Sequence, residues 1–68
     1  MNDAKTIGER LLKFRISAKK TQKEVAEAIE ISVSALTMYE TGNRIPRDEI
    51  KVKLAHYYST SVERLFYA

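Results

Sequence analysis

The sequence predicts an all-α fold, a compact bundle of five helices, and three observations lead there. Only Gly8, Gly42 and Pro46 punctuate the 68 residues, too few breakers for a domain of short strands and turns. Apolar residues recur three and four positions apart along most of the chain, which is the helical period. Capping residues stand at the starts of the runs: Thr21, Ser32 and Ser61 each precede an apolar-periodic segment.

A first helix is expected over about 4–18, with Ile7, Leu11, Phe14 and Ala18 on one face. Lys19 and Lys20 follow at its C-terminal end, where cations complement the helix dipole. Thr21-Gln22-Lys23-Glu24 then has the pattern of a capping box. It opens a second helix over about 22–29 that turns Val25, Ala26 and Ile29 inward. Ser32 is the expected cap of a third helix, 33–40, whose core residues are Ala35, Leu36 and Tyr39; Gly42 ends it. Pro46 is read as the first residue of a fourth helix, 46–58, with Asp48 and Glu49 in its first turn and Ile50, Leu54 and Tyr58 inward. A last short helix, 62–67, follows Ser61 and carries Val62, Leu65 and Phe66.

Composition narrows the function. One domain, residues 1–68, is all this length supports, and a domain of about 60 residues buries only roughly 60% of its unfolded surface. Ile, Leu, Val and Phe make up a quarter of the chain, above the level of about a fifth below which charged chains stay disordered. There is no cysteine, hence no disulfide, no thiolate zinc site and no thiol nucleophile. A large pocket or a two-domain cleft does not fit such a chain, so an enzyme is not expected. His56 is the single histidine, placed on the outer face of the fourth helix, and neither a metal nor any other cofactor is expected. Ser32, Ser34 and Thr37 have no neighbouring base to activate them, and Asp48-Glu49 reads as a helix start.

Twelve Lys and Arg against nine Asp and Glu give a net charge of +3. Six cations and no acid lie between Arg10 and Lys23; four acids and no cation lie between Glu24 and Asn43; Arg44, Arg47, Lys51 and Lys53 follow. A fold that gathers the two basic clusters makes a phosphate-binding rim; a solvated helix face is the plainer reading of the same charges. No uncharged run exceeds nine residues, far short of a membrane span. Met1-Asn2-Asp3-Ala4-Lys5 lacks the apolar core of a signal peptide, and a cytoplasmic location is the expectation.

Two short helices joined by three or four residues must cross steeply, which makes residues 22–39 a helix-turn-helix unit. Residues 7–66 as a whole resemble the Cro/repressor-type (Xre-like) helix-turn-helix family of bacterial and phage transcriptional regulators. The matching motifs are Ile7-Gly8-Glu9-Arg10-Leu11, Thr21-Gln22-Lys23-Glu24-Val25-Ala26, Ser32 through Glu40 with Thr41-Gly42, Pro46 through Leu54-Ala55, and Ser61-Val62-Glu63-Arg64-Leu65-Phe66. The family usually has glycine where Glu30 stands. Glu30 therefore either accepts a left-handed backbone, at about 1–2 kcal/mol, or marks a slightly different turn. Lys51 and Asp48 stand where relatives often carry apolar residues, which implies a fourth helix packed less deeply.

The resemblance implies a lambda-repressor-like fold that binds double-stranded DNA as a sequence-specific repressor, a homodimer on an inverted-repeat operator, with the third helix in the major groove. The residues it places at base edges are Val33, Ser34, Thr37 and Met38. None of the four is Arg, Asn or Gln, so bidentate guanine or adenine contacts are lacking and an A·T-leaning half-site is expected. Gln22, Lys23, Ser32, Thr41, Asn43, Arg44 and Arg47 are implied as phosphate contacts, and Arg15 with Glu40 as a structural ion pair. Tyr57, Leu65 and Phe66 are carried over as a dimer interface. A second reading stays open: the same fold as a protein-interaction module, bound to a partner regulator or antitoxin-like, with weak or shared DNA contact. Membrane-surface binding through the basic first helix needs a larger apolar face than one committed to the core. No small-molecule effector is evident in the sequence, and the operator, regulated genes and direction of regulation are not written in it.

Overall fold

A computed structural model of the chain describes residues 3–68; Met1 and Asn2, the start of the segment read for a leader, lie outside the described residues. Five helices follow one another: α1 (Ala4–Ser17), α2 (Gln22–Ala28), α3 (Val33–Glu40), α4 (Asp48–Tyr57) and α5 (Glu63–Tyr67), the last a single π-helical turn. Side chains cap the first three. Asp3 accepts the Thr6 amide at 2.8 Å, and that bond holds its carboxyl below the ordinary range. Thr21 and Glu24 exchange amide bonds of 3.1 and 2.9 Å, a complete capping box. Ser32 Oγ accepts the Ala35 amide at 3.0 Å.

The fourth helix departs from the expected bounds. Pro46 is not its first residue but lies in an extended stretch, fully buried, and Arg47 is the N-cap with extended backbone angles. Proline is tolerated at a helix start but equally fixes an extended approach; here its ring is fully buried instead of opening the helix. Arg47 makes no side-chain cap bond, so Asp48 and Glu49 complement the dipole from the first turn.

The first four helices end alike. Each is followed by a left-handed residue, Lys19 (φ 57°), Glu30 (φ 62°), Gly42 (φ 79°) and Ser59 (φ 56°). The next amide in each case reaches back to the helix: Lys20 N–H to the Arg15 carbonyl, Ile31 to Ala26, Asn43 to Met38 and Thr60 to Ala55, at 2.9–3.2 Å. This is the Schellman closure, in which backbone amides satisfy the last carbonyls. Three of the four left-handed positions are occupied by residues with a Cβ. Glu30 thus accepts the left-handed turn rather than avoiding it.

The core joins Ile7 and Leu11 of α1, Val25, Ala26 and Ile29 around α2, Leu36 and Tyr39 of α3, Ile50, Leu54 and Ala55 of α4, and Leu65 and Phe66 of α5. The central packing is α1 against α3. Gly8 makes it possible, because a Cβ there would stand 2.6 Å from the Glu40 carbonyl oxygen. Ala18, expected on the buried stripe, is the exposed C-cap of α1.

Lys51 also differs from expectation. Its side chain is only 11% exposed, so α4 packs deeply in spite of the charge. The aliphatic stem lies in the core and the ammonium reaches Tyr67 Oη at 2.8 Å, 5.6 and 5.0 Å from the ring centres of Phe66 and Tyr67. Arg10 fastens the other side of α5, donating to the Leu65 and Ala68 carbonyls at 3.0 Å each. Among the described residues no helix is long and apolar enough to cross a membrane.

Candidate nucleic-acid interface

α2 packs on α3, and small Ala26 is buried together with Val25 and Leu36. The left-handed Glu30 turns the chain between them. With Leu36, Tyr39 and Glu40 facing inward, the outward positions of α3 are Val33 and Ser34, both exposed, and Thr37 and Met38, half-buried. Val33 is 43% exposed. The outward face of α3 is uncharged, since its sole ionisable acid, Glu40, turns into the protein.

Glu40 anchors a chain of four side chains. Arg15 donates to both of its oxygens, Nε to Oε2 at 2.8 Å and Nη2 to Oε1 at 3.1 Å, with side-chain exposures of 14% and 4%. Bonding to Glu40 raises the Arg15 pKa, against the opposing effect of burial. A third Arg15 bond, to the Lys20 carbonyl at 3.0 Å, ties the α1–α2 turn to the same centre. Gln22 Nε2 donates to Glu40 Oε1 at 3.0 Å, and Thr37 Oγ1 donates to Gln22 Oε1 at 3.2 Å. Gln22 is a residue that the resemblance implies as a phosphate contact. Its amide bridges the ion pair to α3, with one N–H left for another partner; partners fifteen and eighteen residues away in sequence give no local sign of this.

The loop after α3 continues the strip. Thr41 Oγ1 donates to the Thr37 carbonyl at 2.8 Å, and Asn43 Nδ2 donates to Thr41 Oγ1 at 2.8 Å. The Thr41 hydroxyl hydrogen is thereby engaged, while Asn43 keeps a second amide hydrogen. Gly42 is required twice over, by its φ of 79° and because a Cβ would meet Lys5 Cα at 2.8 Å. Ser32 spends a lone pair on its cap and keeps its hydroxyl hydrogen. Lys23 is exposed on the first turn of α2. Arg44 and Arg47 line a cleft of about 370 Å³ with Ile31, Ala35, Tyr39, Ile45 and Ile50. Arg47 Nε lies 3.3 Å from Glu49, but both are well exposed, so the pair is weak and easily exchanged. Gln22, Thr37, Thr41 and Asn43 thus form one hydrogen-bonded strip, with cations beyond its ends.

Residues 11–65 match the family model described as helix-turn-helix. The chain belongs to the helix-turn-helix family. It is 37% identical over 59 residues to the cryptic phage CTXphi transcriptional repressor RstR of Vibrio cholerae, a match over 87% of this chain and 53% of that protein. The HTH-type transcriptional regulator ImmR of Bacillus subtilis is 37% identical over 60 residues, 88% of this chain and 47% of ImmR. The helix-turn-helix chain thus spans about half the length of the curated relatives it matches. Among solved structures it is similar to the clp gene regulator ClgR of C. glutamicum, with a TM-score of 0.83 and 27% identity over 91% of this chain and 80% of ClgR. ComR of Streptococcus suis gives a TM-score of 0.86 at 26% identity, over 94% of this chain and 21% of ComR.

The packing of α5 alters the expected dimer surface. Leu65 and Phe66 are both 0% exposed, because neighbouring positions of the α5 turn both insert into the core. They offer nothing to a second copy. Tyr57 remains half-buried, edge-on to Tyr58 at 5.2 Å between ring centres, and Tyr67 is exposed.

Proposed function

We propose that the chain is a sequence-specific, double-stranded DNA-binding transcriptional regulator, a repressor that binds an inverted-repeat operator as a homodimer with α3 in the major groove. One observation carries this: an uncharged outward helix face bordered by a continuous strip of amide and hydroxyl groups with cations beyond it. Val33, Ser34, Thr37 and Met38 meet base edges. Gln22, Lys23, Ser32, Asn43, Arg44 and Arg47 meet phosphates, which set register without reading sequence, and Thr41, its hydroxyl hydrogen spent on the Thr37 carbonyl, orients Asn43. Apolar Val33 and Met38 suit thymine methyl groups and an A·T-leaning half-site. The names of RstR and ImmR support a regulator, and occupying promoter DNA is how it represses, in the cytoplasm and without a cofactor. Tyr57 contributes to the contact between copies.

Selection of bound sites from a random pool of duplexes of about 30 base pairs, at about 0.15 M salt, tests the reading. The expected result is an inverted repeat with half-site centres about 10 base pairs apart. A second reading, a surface for another protein, is favoured by the 43% exposure of Val33 on an uncharged helix; a folded chain that enriches no site moves the weight there.

A further inference from the structure

The four-membered chain of side chains behind α3 has a direction, and the direction has a consequence for reading DNA. An ionised carboxylate accepts and cannot donate. Glu40 is held by Arg15 through both oxygens, so it can take only an N–H from Gln22. That orients the Gln22 amide with its NH2 toward Glu40 and its carbonyl toward Thr37. A carbonyl oxygen also only accepts. The Thr37 hydroxyl must therefore spend its single hydrogen on Gln22, and the opposite polarity would break two bonds at once.

The geometry points to Thr37 acting at the base edge only as an acceptor, a specificity-determining residue that demands an exposed amino group, adenine N6 or cytosine N4, on the base it faces on one strand. Guanine and thymine present only acceptors in the major groove apart from the thymine methyl, and an acceptor facing an acceptor is repelled. Turning the hydroxyl to donate to a base would strand the part-buried Gln22 carbonyl, a loss worth on the order of tenfold in affinity. Arg15, Glu40 and Gln22 are positioning residues for this contact. Gln22 gains a complementary polarity: its free N–H is a donor, which suits a phosphate oxygen. Among A·T-leaning sites, the inference puts adenine, not thymine, on the strand that Thr37 meets. It rests on the DNA-binding reading above.

The test starts from the selected site. In each half-site, adenine is replaced by purine and cytosine by 2-pyrimidinone, one position at a time, so that only the amino group is lost. Binding of wild type, Thr37→Val and Thr37→Ser is measured by fluorescence anisotropy. Loss of a base-pairing group weakens the duplex for all three proteins, so the comparison between proteins isolates the contact. One position per half-site is expected at which losing the amino group costs wild type and Thr37→Ser about tenfold more than it costs Thr37→Val. No position with that difference, or a Thr37-dependent position occupied by guanine or thymine, overturns the polarity while leaving DNA binding intact. No selected site at all refutes DNA reading itself and the polarity with it.

Discussion

Replacing Gly8 by alanine sets two effects of opposite sign against each other. In a helix interior alanine is favoured over glycine by about 1 kcal/mol, and Gly8 lies well inside α1. Against this, the new Cβ would stand 2.6 Å from the Glu40 carbonyl oxygen, 2.7 Å from that of Tyr39 and 2.9 Å from the Glu40 carbonyl carbon. All three are backbone atoms, so no side-chain rotation relieves them. Restoring normal contact of about 3.5 Å requires α1 and α3 to move apart by roughly 0.5–1 Å, a gap that forfeits a quarter to a half of the dispersion attraction between them. Overpacking of this kind costs about 1–3 kcal/mol and sometimes more. With only backbone to yield, a value near 3 applies, leaving about 2 kcal/mol of net destabilisation. At about 4–8 °C per kcal/mol for a domain of this size, Tm falls by about 8–16 °C. Thermal and urea unfolding followed by far-UV circular dichroism measures it. A Gly8→Ala protein that melts at or above the wild-type temperature would show that the α1–α3 approach is not the constraint claimed.

Further outcomes follow from the same contacts. Glu40→Ala leaves the Arg15 guanidinium largely buried without its carboxylate and is expected to cost about 3–5 kcal/mol in urea unfolding. Glu30→Gly and Ser59→Gly relieve a left-handed Cβ worth about 1–2 kcal/mol and lose about 0.4–1 kcal/mol through a more flexible unfolded chain. Each should therefore raise stability by up to about 1.5 kcal/mol, and a drop in either would contradict the closure described. Burial, with Glu40 nearby, pushes the Tyr58 phenol above its ordinary value of 10.0. The folded state then holds the proton more tightly, so this contribution is intact below pH 10 and lost as pH rises above it; Tyr58→Phe should flatten that alkaline decline in Tm. Arg44→Ala should weaken binding to all duplexes alike and reduce the salt slope of a dimer by about 2, whereas Ser34→Arg should change which base is preferred.

The helices were legible because their signals are local. Thr21 and Glu24 declare a capping box within four residues, and the Ile7–Leu11–Phe14 spacing needs no knowledge of the rest of the chain. What depended on packing was less legible. Pro46 satisfies the rule for a first helical residue, and only its complete burial in the folded chain shows that the ring serves packing. Lys51 reads as a charge that keeps α4 from packing deeply until Tyr67 and Phe66 are found beside its ammonium. Leu65 and Phe66 are implied as a dimer surface by the resemblance alone, yet the α5 turn buries both. In the interface, the outward face of α3 followed from its periodicity. Gln22 did not, since its role depends on Glu40 and Thr37, eighteen and fifteen residues away.

The network behind α3 also divides the reading face into two kinds of position. Val33, Ser34 and Met38 make no side-chain bond to the scaffold, so they can be exchanged with little effect on folding, and new base preferences at those places are accessible by single substitutions. Thr37 is different: it shares its hydrogen with groups that hold α1, α2 and α3 together, and a change there disturbs both recognition and architecture. Descendants of this chain would diverge fastest in the bases met by the three untethered side chains, while the base pair under Thr37 would persist as the common letter of their operators.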